Sequence, residues 1–374
     1  MRAGTCYGMF AYEVGLAIDL DWCERQIPAL TQRQRLKQKR RAPQYFDYRP
    51  APLRVIEDAE PLALGRHRTA NTVELVLYDF GAVSVMYSIP LGGPFADLIE
   101  LSQLLYDNAT LREDSLRRVT ELMQVVERSV TSRNTADFVE DYAIFQVVAF
   151  DEPCSATALY TAHAHTVAQI LRSEPSALSA DEVRDATEQH ISYAPDDVAI
   201  IDWAAALLFE RDAEDVRAVL EFANVELLEM RYLDQQLDDA LDESYQALSK
   251  RTWRRTWPRG SGRDLRRVGQ LQVDHAVLFE GVNNALKLLG DQYLARVYRL
   301  VSKRFHLAEW DASILRKLQT LESIYEKMAD TAATRRLEVL EWIIILLTAL
   351  SLVVYFLPAR AVHGTAPEAV LVQP

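Results

Sequence analysis

The sequence contains one closely spaced pair of metal-ligand side chains, His163 and His165, with a single alanine between them. Imidazole nitrogens are common ligands of zinc and other transition metals. On a strand, side chains two positions apart lie on one face and could share an ion, whereas on a helix they point to different sides. The surrounding pattern is helical, so the sequence favours two exposed histidines over a metal site. No metal and no cofactor is predicted.

Other chemical motifs are weak or missing. The stretch Gly260–Arg263 superficially resembles a phosphate-binding loop, but it lacks the G-x-x-x-x-G-K-[ST] spacing and no strand precedes it. The neighbouring acids Asp196 and Asp197 fit the start of a helix better than a catalytic carboxylate pair. The G-x-S-x-G, H-E-x-x-H and H-x-E…C-x-x-C patterns of hydrolases and zinc enzymes are absent. The sequence therefore names no reaction.

Charge is distributed unevenly along the chain. The net charge is −13, which argues against a general nucleic-acid coat protein. Residues 250–267 nevertheless hold eight bases and one acid, together with two tryptophans, and residues 33–41 hold six bases and no acid. We predict that the first stretch contacts a membrane surface through Lys250, Arg251, Trp253, Arg254, Arg255, Trp257, Arg259, Arg263, Arg266 and Arg267.

Residues 212–248 show a regular helical repeat. Apolar residues recur at alternating steps of three and four, which is a heptad pattern. A seam of this length must pair with the following helix, predicted from about Gln270 to Arg304, or with another copy of the chain. The predicted seam residues are Val216, Leu220, Leu227, Met230, Leu237 and Leu241.

The elements that would position these residues fall into an N-terminal mixed part and a C-terminal helical part. Short β-branched and aromatic runs predict strands at 53–57, 73–78, 82–89 and 142–150, and helical periodicity appears at 95–106 and 111–130. We therefore predict an α+β domain, an all-α region with a long antiparallel coiled-coil hairpin, and a C-terminal transmembrane helix. The predicted boundaries are 1–155 for the α+β domain, 156–211 for a helical connector, 212–341 for the hairpin, 342–357 for the span and 358–374 for a short exported tail.

The membrane prediction rests on the run from Trp342 to Leu357, which carries no charge in 16 residues. Aromatic residues at both of its ends suit the membrane interface, and Pro358 ends the helix. As a helix the run spans about 24 Å, short of a hydrocarbon core of roughly 30 Å. A buried core helix or an oligomerisation helix is the alternative.

Orientation follows from the bases that flank this run. Lys327, Arg335 and Arg336 precede it and only Arg360 follows, which favours a cytoplasmic N-terminal body. The chain is expected to be a single-pass membrane protein whose N-terminal body lies on the cytoplasmic or matrix side of an inner membrane. The expected partners are anionic lipid and a protein partner or a second copy. Nucleic acid is disfavoured, except indirectly through translation machinery.

The C-terminal half resembles a known family. The features are Ile201-Asp202-Trp203, the acidic helix Leu220–Asp234, and Glu341-Trp342 before the apolar run. Together they resemble the required-for-meiotic-nuclear-division family, whose members carry domain of unknown function 155. The resemblance covers about residues 140–357, and residues 1–130 contain no motif that matches a known family. It implies an α/β region, a helical region and a C-terminal membrane helix, and its mitochondrial members support organellar translation. The family offers no catalytic residue to carry over.

Two functions follow as expectations. The first is a membrane-anchored, non-enzymatic scaffold or interaction protein that is oligomeric through its long helices. The alternative is a membrane-tethered enzyme that acts on a nucleotide or a lipid head group through the α+β domain. A concave site with convergent ionisable groups in residues 1–155 would favour the enzyme.

Overall fold

The structure is a computed structural model. It describes residues 1–27, 30–33, 50–133, 138–150, 155–249, 269, 271–273, 276 and 292–356. The basic stretch 250–267, most of the basic run 33–41 and the tail 358–374 lie outside these residues.

One nine-stranded sheet organises the N-terminal half, with the strand order β11-β12-β13-β10-β1-β8-β7-β4-β3. The pair β10 and β13 is parallel and the other pairs are antiparallel, so the sheet is mixed. Its strands are β1 Ala3–Glu13, β3 Leu30–Arg33, β4 Leu53–Asp58, β7 Thr72–Leu77, β8 Ala82–Leu91, β10 Glu140–Ala149, β11 His190–Ile191, β12 Val198–Ile201 and β13 Ala205–Phe209. Two small ladders pair β2 Ala17–Ile18 with β9 Val130–Thr131, and β5 Ala63–Leu64 with β6 His67–Arg68.

Helices cover both faces of this sheet. The shorter ones are α1 Leu20–Gln26, α2 Asp97–Leu105, α3 Ala109–Val125, α4 Ala156–Ala162, α5 Ala164–Arg172 and α6 Ala180–Glu188. The C-terminal ones are α7 Glu214–Ser249, α8 Gln292–Arg304 and α9 Leu307–Phe356.

The first face of the sheet forms the larger core. Successive side chains of a strand point to opposite faces, so Phe10 and Tyr12 of β1 share this face with Val85 and Tyr87 of β8. All four are buried in one cluster with apolar residues of α2, α3 and α5. At the start of α3, the Asn108 side chain accepts a hydrogen bond from the Leu111 amide at 2.9 Å, which satisfies a free donor of the first turn.

The second face of the sheet is covered by α7 and the helices that pack on it. Met9, Met86 and Tyr142 of the sheet lie in one cluster with Val216 and Leu220 of α7. The same cluster includes apolar residues of α8 and α9. Because the alternate residues of the central strands are apolar too, this face needs a helical cover as much as the first one does.

A tight turn joins the antiparallel strands β7 and β8. Tyr78 donates its amide to the carbonyl of Ala82 at 2.9 Å, and Gly81 adopts a φ of 106°. A Cβ at Gly81 would lie 1.6 Å from the carbonyl oxygen of Gly15. Glycine is therefore required here by both the backbone conformation and the close approach of residue 15.

The predicted fold class is wrong in two respects. The sheet does not end with the first 155 residues, because β11, β12 and β13 extend it from the segment expected to be a helical connector. Their short lengths of two to five residues give little periodicity to recognise. The four strands predicted from β-branched and aromatic runs coincide with β4, β7, β8 and β10.

The second correction concerns the membrane. Among the described residues, no helix is long and apolar enough to cross a membrane. The continuous uncharged run of α9 begins at Trp342, because Glu338 and Glu341 precede it in the same helix, and α9 ends at Phe356. Fifteen residues rise only about 22 Å, against a hydrocarbon core of roughly 30 Å. The predictions of a transmembrane helix at 342–357 and of a single-pass membrane location are therefore wrong.

The cover on the second face can be tested at Leu227, whose side chain is only 2% exposed. Replacing it with aspartate places an unpaired charge between α7 and its neighbours. We expect Leu227→Asp to lower the free energy of unfolding by roughly 3–5 kcal/mol. Urea denaturation followed by circular dichroism measures the change. Leu315→Asp is the control, because Leu315 on α9 is 41% exposed and its substitution should be nearly neutral. Equal midpoints for both variants would contradict the assignment.

Candidate functional site

The predicted seam residues lie between α7 and its neighbours. Val216, Leu220, Leu227 and Leu237 are almost fully buried, Met230 is buried and Leu241 is partly buried. Their neighbours are the second face of the sheet, α8 and α9 of the same chain. The predicted membrane-contact residues between Lys250 and Arg267 lie outside the described residues.

The two histidines have structural contacts. His163 precedes α5 and packs its ring against Phe95 at a centroid distance of 6.0 Å. His165 Nδ1 lies 3.1 Å from Gln169 Oε1, and its Nε2 accepts the backbone amide of Leu178 at 3.2 Å. Within the described ranges, no group of three or more His, Cys, Asp or Glu side chains could hold a metal ion.

Asp197 also has a local structural role. Its carboxylate accepts the backbone amides of Tyr193 and Ala194 at 2.7 Å and 3.0 Å. These bonds close the turn before β12, so Asp197 belongs to a turn rather than to a helix start or a catalytic pair.

Asp202 is the centre of a buried ionic cluster. It follows β12 in the turn to β13, and its side chain is 1% exposed. Arg172 at the end of α5 places Nε 2.7 Å from Oδ2, and Arg304 at the end of α8 donates Nε to Oδ1 at 2.7 Å. Asp185 of α6 pairs with both guanidinium groups, at 2.7 Å from Arg304 Nη2. Tyr142 Oη of β10 donates to the Asp202 carbonyl at 3.0 Å. The cluster joins the sheet to α5, α6 and α8.

The charges of this cluster depend on one another. Burial raises the pKa of the Asp202 carboxyl, and the guanidinium groups of Arg304 and Arg172 oppose that rise. The hydrogen bond from Arg304 lowers the pKa of the more exposed Asp185. Two acids and two bases therefore lie together, and their contacts connect α5, α6 and α8 to the sheet.

A second polar cluster lies under α7. Arg54 Nη1 of β4 lies 3.3 Å from Glu74 Oε2 of β7, and the Arg217 guanidinium of α7 stands 4.4 Å above the Tyr7 ring. Glu221 is buried between them, and burial raises the pKa of its carboxyl. Among the described residues, Glu221 Oε1 has no hydrogen-bond partner of normal geometry. The charges of Arg54 and Arg217 oppose that rise.

Helix α9 is fixed to α7 by polar contacts. Lys317 Nζ lies 2.7 Å from Asp234 Oδ1 and 2.6 Å from Asp238 Oδ1 of α7. Nearer the end of α7, Ser244 Oγ donates to Tyr325 Oη at 3.1 Å. Tyr325 itself is buried in the cluster that covers the second face of the sheet. The first turns of α9 therefore have a fixed position on α7.

Residues 337–353 of α9, called the apolar section below, are exposed on all sides of the helix. Twelve large apolar side chains are between 49% and 69% exposed, and no charge occurs from Trp342 to Val353. The hydroxyl of Thr348 donates to the Ile344 carbonyl at 2.7 Å, and that of Ser351 donates to the Thr348 carbonyl at 2.8 Å. The twelve residues are Leu337, Val339, Leu340, Trp342, Ile343, Ile344, Ile345, Leu346, Leu347, Leu350, Leu352 and Val353.

The N-terminal part of the chain matches a known protein family. Residues 3–215 match a family model described as uncharacterized protein MJ0711, N-terminal domain. The chain belongs to this family. The match begins with β1 and ends two residues into α7, so it includes all nine strands of the sheet.

A curated relative from Methanocaldococcus jannaschii carries the same description, uncharacterized protein MJ0711. It is 22% identical to this chain over 195 residues, which are 51% of this chain and 58% of the relative. This chain thus spans little more than half of the relative's length. No solved structure matches the chain.

The resemblance to the required-for-meiotic-nuclear-division family is wrong, because the family that matches is the MJ0711 one. The resemblance rested on an acidic heptad helix and on Glu341-Trp342 before an apolar run. Such features occur wherever a long amphipathic helix precedes an apolar one, so they identify a kind of helix rather than a family. The match lies mainly in the N-terminal half, whereas the residues that carried the resemblance lie after residue 200.

Local sequence patterns do not reveal the ionic cluster around Asp202. Its members come from four elements, and Asp202 and Arg304 are 102 positions apart. Asp202 stands in the quoted Ile201-Asp202-Trp203 motif, but nothing near it in sequence indicates two guanidinium partners. A lone acid between two runs of apolar residues, Val198–Ile201 and Ala205–Phe209, was the only available signal.

The Asp202 cluster predicts a large loss of stability on neutralisation. Asp202→Asn keeps the side-chain size but leaves two guanidinium groups without their buried counter-charge. We expect a loss of roughly 3–5 kcal/mol in the free energy of unfolding, measured in urea so that ionic strength stays constant. Asp181→Asn is the matched control, because Asp181 forms an exposed ion pair with Arg184 on one helix, worth less than about 1 kcal/mol. If the two variants lose the same stability, the cluster does not join the elements as described.

Proposed function

We propose that this protein is a non-enzymatic scaffold or interaction protein that binds other protein chains through the apolar section of α9. The observation that carries this proposal is the continuous exposure of the twelve apolar side chains. Single exposed apolar residues are ordinary, but a contiguous apolar surface of this size on a folded chain indicates an interaction site. A helix that is apolar on all sides is normally enclosed by other structure.

The energies favour association. Each large apolar side chain that becomes fully buried contributes roughly 1.5–3 kcal/mol. Burial of about half of the twelve would contribute roughly 9–18 kcal/mol, against an association cost of about 4–15 kcal/mol. The hydroxyls of Thr348 and Ser351 are already bonded to the helix backbone, so burying them leaves no donor without a partner.

The partner surface follows from the same chemistry. It must be apolar and must surround a helix, which suits packed helices of another protein or of further copies of this chain. Lys317 and Tyr325 hold the first turns of α9 on α7, so the apolar section is presented from a fixed base.

Site-specific cross-linking tests the proposal. A photoreactive side chain at position 344 should cross-link to protein, whereas the same group at position 315 should not. A product that forms with the purified chain and increases with its concentration identifies a second copy. A product that forms only in cells identifies another protein. Absence of any protein cross-link at position 344 under both conditions contradicts the proposal.

Substitution within the apolar section gives an independent measurement. We expect Ile344→Asp to weaken the association by about tenfold to hundredfold, because it removes one buried apolar side chain from the interface. Leu315→Asp is again the control and should leave the association unchanged. Analytical ultracentrifugation, or titration with the cross-linked partner, measures the dissociation constant. Equal constants for Ile344→Asp and the wild-type chain would place the interface elsewhere.

A further inference from the structure

A buried acid lies where α7 meets α8. Glu226 of α7 is only 2% exposed, and Tyr298 of α8 donates its hydroxyl to Glu226 Oε2 at 2.6 Å. The rings of Phe222 and Tyr298 pack beside this bond with centroids 6.5 Å apart. The bond therefore joins two helices inside an apolar layer.

Among the described residues, the groups that face Glu226 include no counter-charge. Tyr298 faces it from α8, and Asp311 faces it from α9. Asp311 is itself acidic, so it disfavours a second negative charge nearby. In the described part of the chain no arginine or lysine pairs with Glu226. Three bases of these helices pair with other acids, namely Arg231 with Glu140, Arg304 with Asp202 and Lys317 with Asp234.

We propose that Glu226 is a proton-operated latch between α7 and α8. The neutral acid holds α8 in place, and loss of the proton leaves a buried carboxylate without a counter-charge, which loosens α8. This inference does not depend on the proposed function.

The pH range of the latch follows from burial. Burial raises the pKa of Glu226 from 4.5 to about 8, and the hydrogen bond from Tyr298 opposes that rise. Burial also raises the pKa of Tyr298, so its hydroxyl keeps its proton throughout this range. Between pH 4.5 and about pH 8, the docked state binds one more proton than the loosened state, because Glu226 is protonated only when α8 is docked. Docking of α8 is therefore strongest below about pH 4.5, weakens as the pH rises to about 8, and changes little above that.

The latch has a direct connection to α9. Helix α8 ends at Arg304 and α9 begins at Leu307, so only Phe305 and His306 separate them. A loosened α8 therefore removes support from the start of α9, the helix that carries the apolar section. At mildly alkaline pH the start of α9 would therefore be held less firmly.

Amide hydrogen exchange of the full chain tests the latch. After correction for the intrinsic exchange rate, the opening equilibrium of the 292–304 amides should rise about fiftyfold between pH 6 and pH 8. Glu226→Gln keeps an acceptor for Tyr298 but cannot ionise, so it should abolish this pH dependence. Glu221→Gln is the matched control on the same helix. It replaces a buried acid that faces the sheet, so the pH dependence of α8 should persist.

Three results would overturn the latch. They are a pH-independent opening of α8 in the wild-type chain, an unchanged pH dependence in Glu226→Gln, and a loss of that dependence in Glu221→Gln. Tyr298→Phe keeps the test valid if Glu226→Gln fails to fold. It retains the buried acid and removes the donor that stabilises the carboxylate, so the pH dependence should persist with its midpoint at higher pH. A pH-independent Tyr298→Phe would also overturn the latch.

Discussion

The burial of the sheet on both faces is the constraint on which the rest of the structure depends. The central strands have apolar residues at consecutive positions, so water must be excluded from both sides. On the first face the cover comes from helices that connect the strands. On the second face it comes from α7, which follows the last strand directly. The C-terminal helices are therefore part of the same hydrophobic core as the sheet, although they follow it in sequence.

Polar contacts then fix the position of that cover. Asp202 and Arg304 tie the end of α8 to the sheet, and Lys317 ties α9 to α7. Buried ion pairs add little net stability compared with apolar packing, but removing one partner is costly. Their main effect here is to select one arrangement of the helices from the many that apolar contacts alone would allow. Helix α9 can then carry an apolar section beyond this layer without losing its own position.

Local sequence patterns predicted those elements whose formation depends on local properties. The strands β4, β7, β8 and β10 and the long helix α7 have clear periodicity, and all were predicted near their observed positions. The central strand β1 was missed. Its residues Ala3–Glu13 mix glycine, cysteine and aromatic residues, and both of its faces are buried, so no alternation appears.

Features that depend on tertiary contacts could not be predicted in this way. Asp202 and Arg304 are 102 positions apart in sequence, and Glu226 and Tyr298 are 72 positions apart. The properties of both acids come from burial. The membrane prediction failed for a different reason. It rested on an uncharged run whose length was already marginal for a bilayer, and α9 continues that run directly from charged turns. The buried positions of the seam on α7 follow the heptad pattern, but the pattern could not show that a sheet lies beneath them.

The match to the MJ0711 family ends at residue 215, two residues into α7. The matched residues thus contain every strand of the described sheet but almost none of the cover on its second face. The end of the match and the end of the folded core do not coincide in this protein. Any relative that keeps residues equivalent to 3–215 inherits an apolar sheet face that its own following segment must shield.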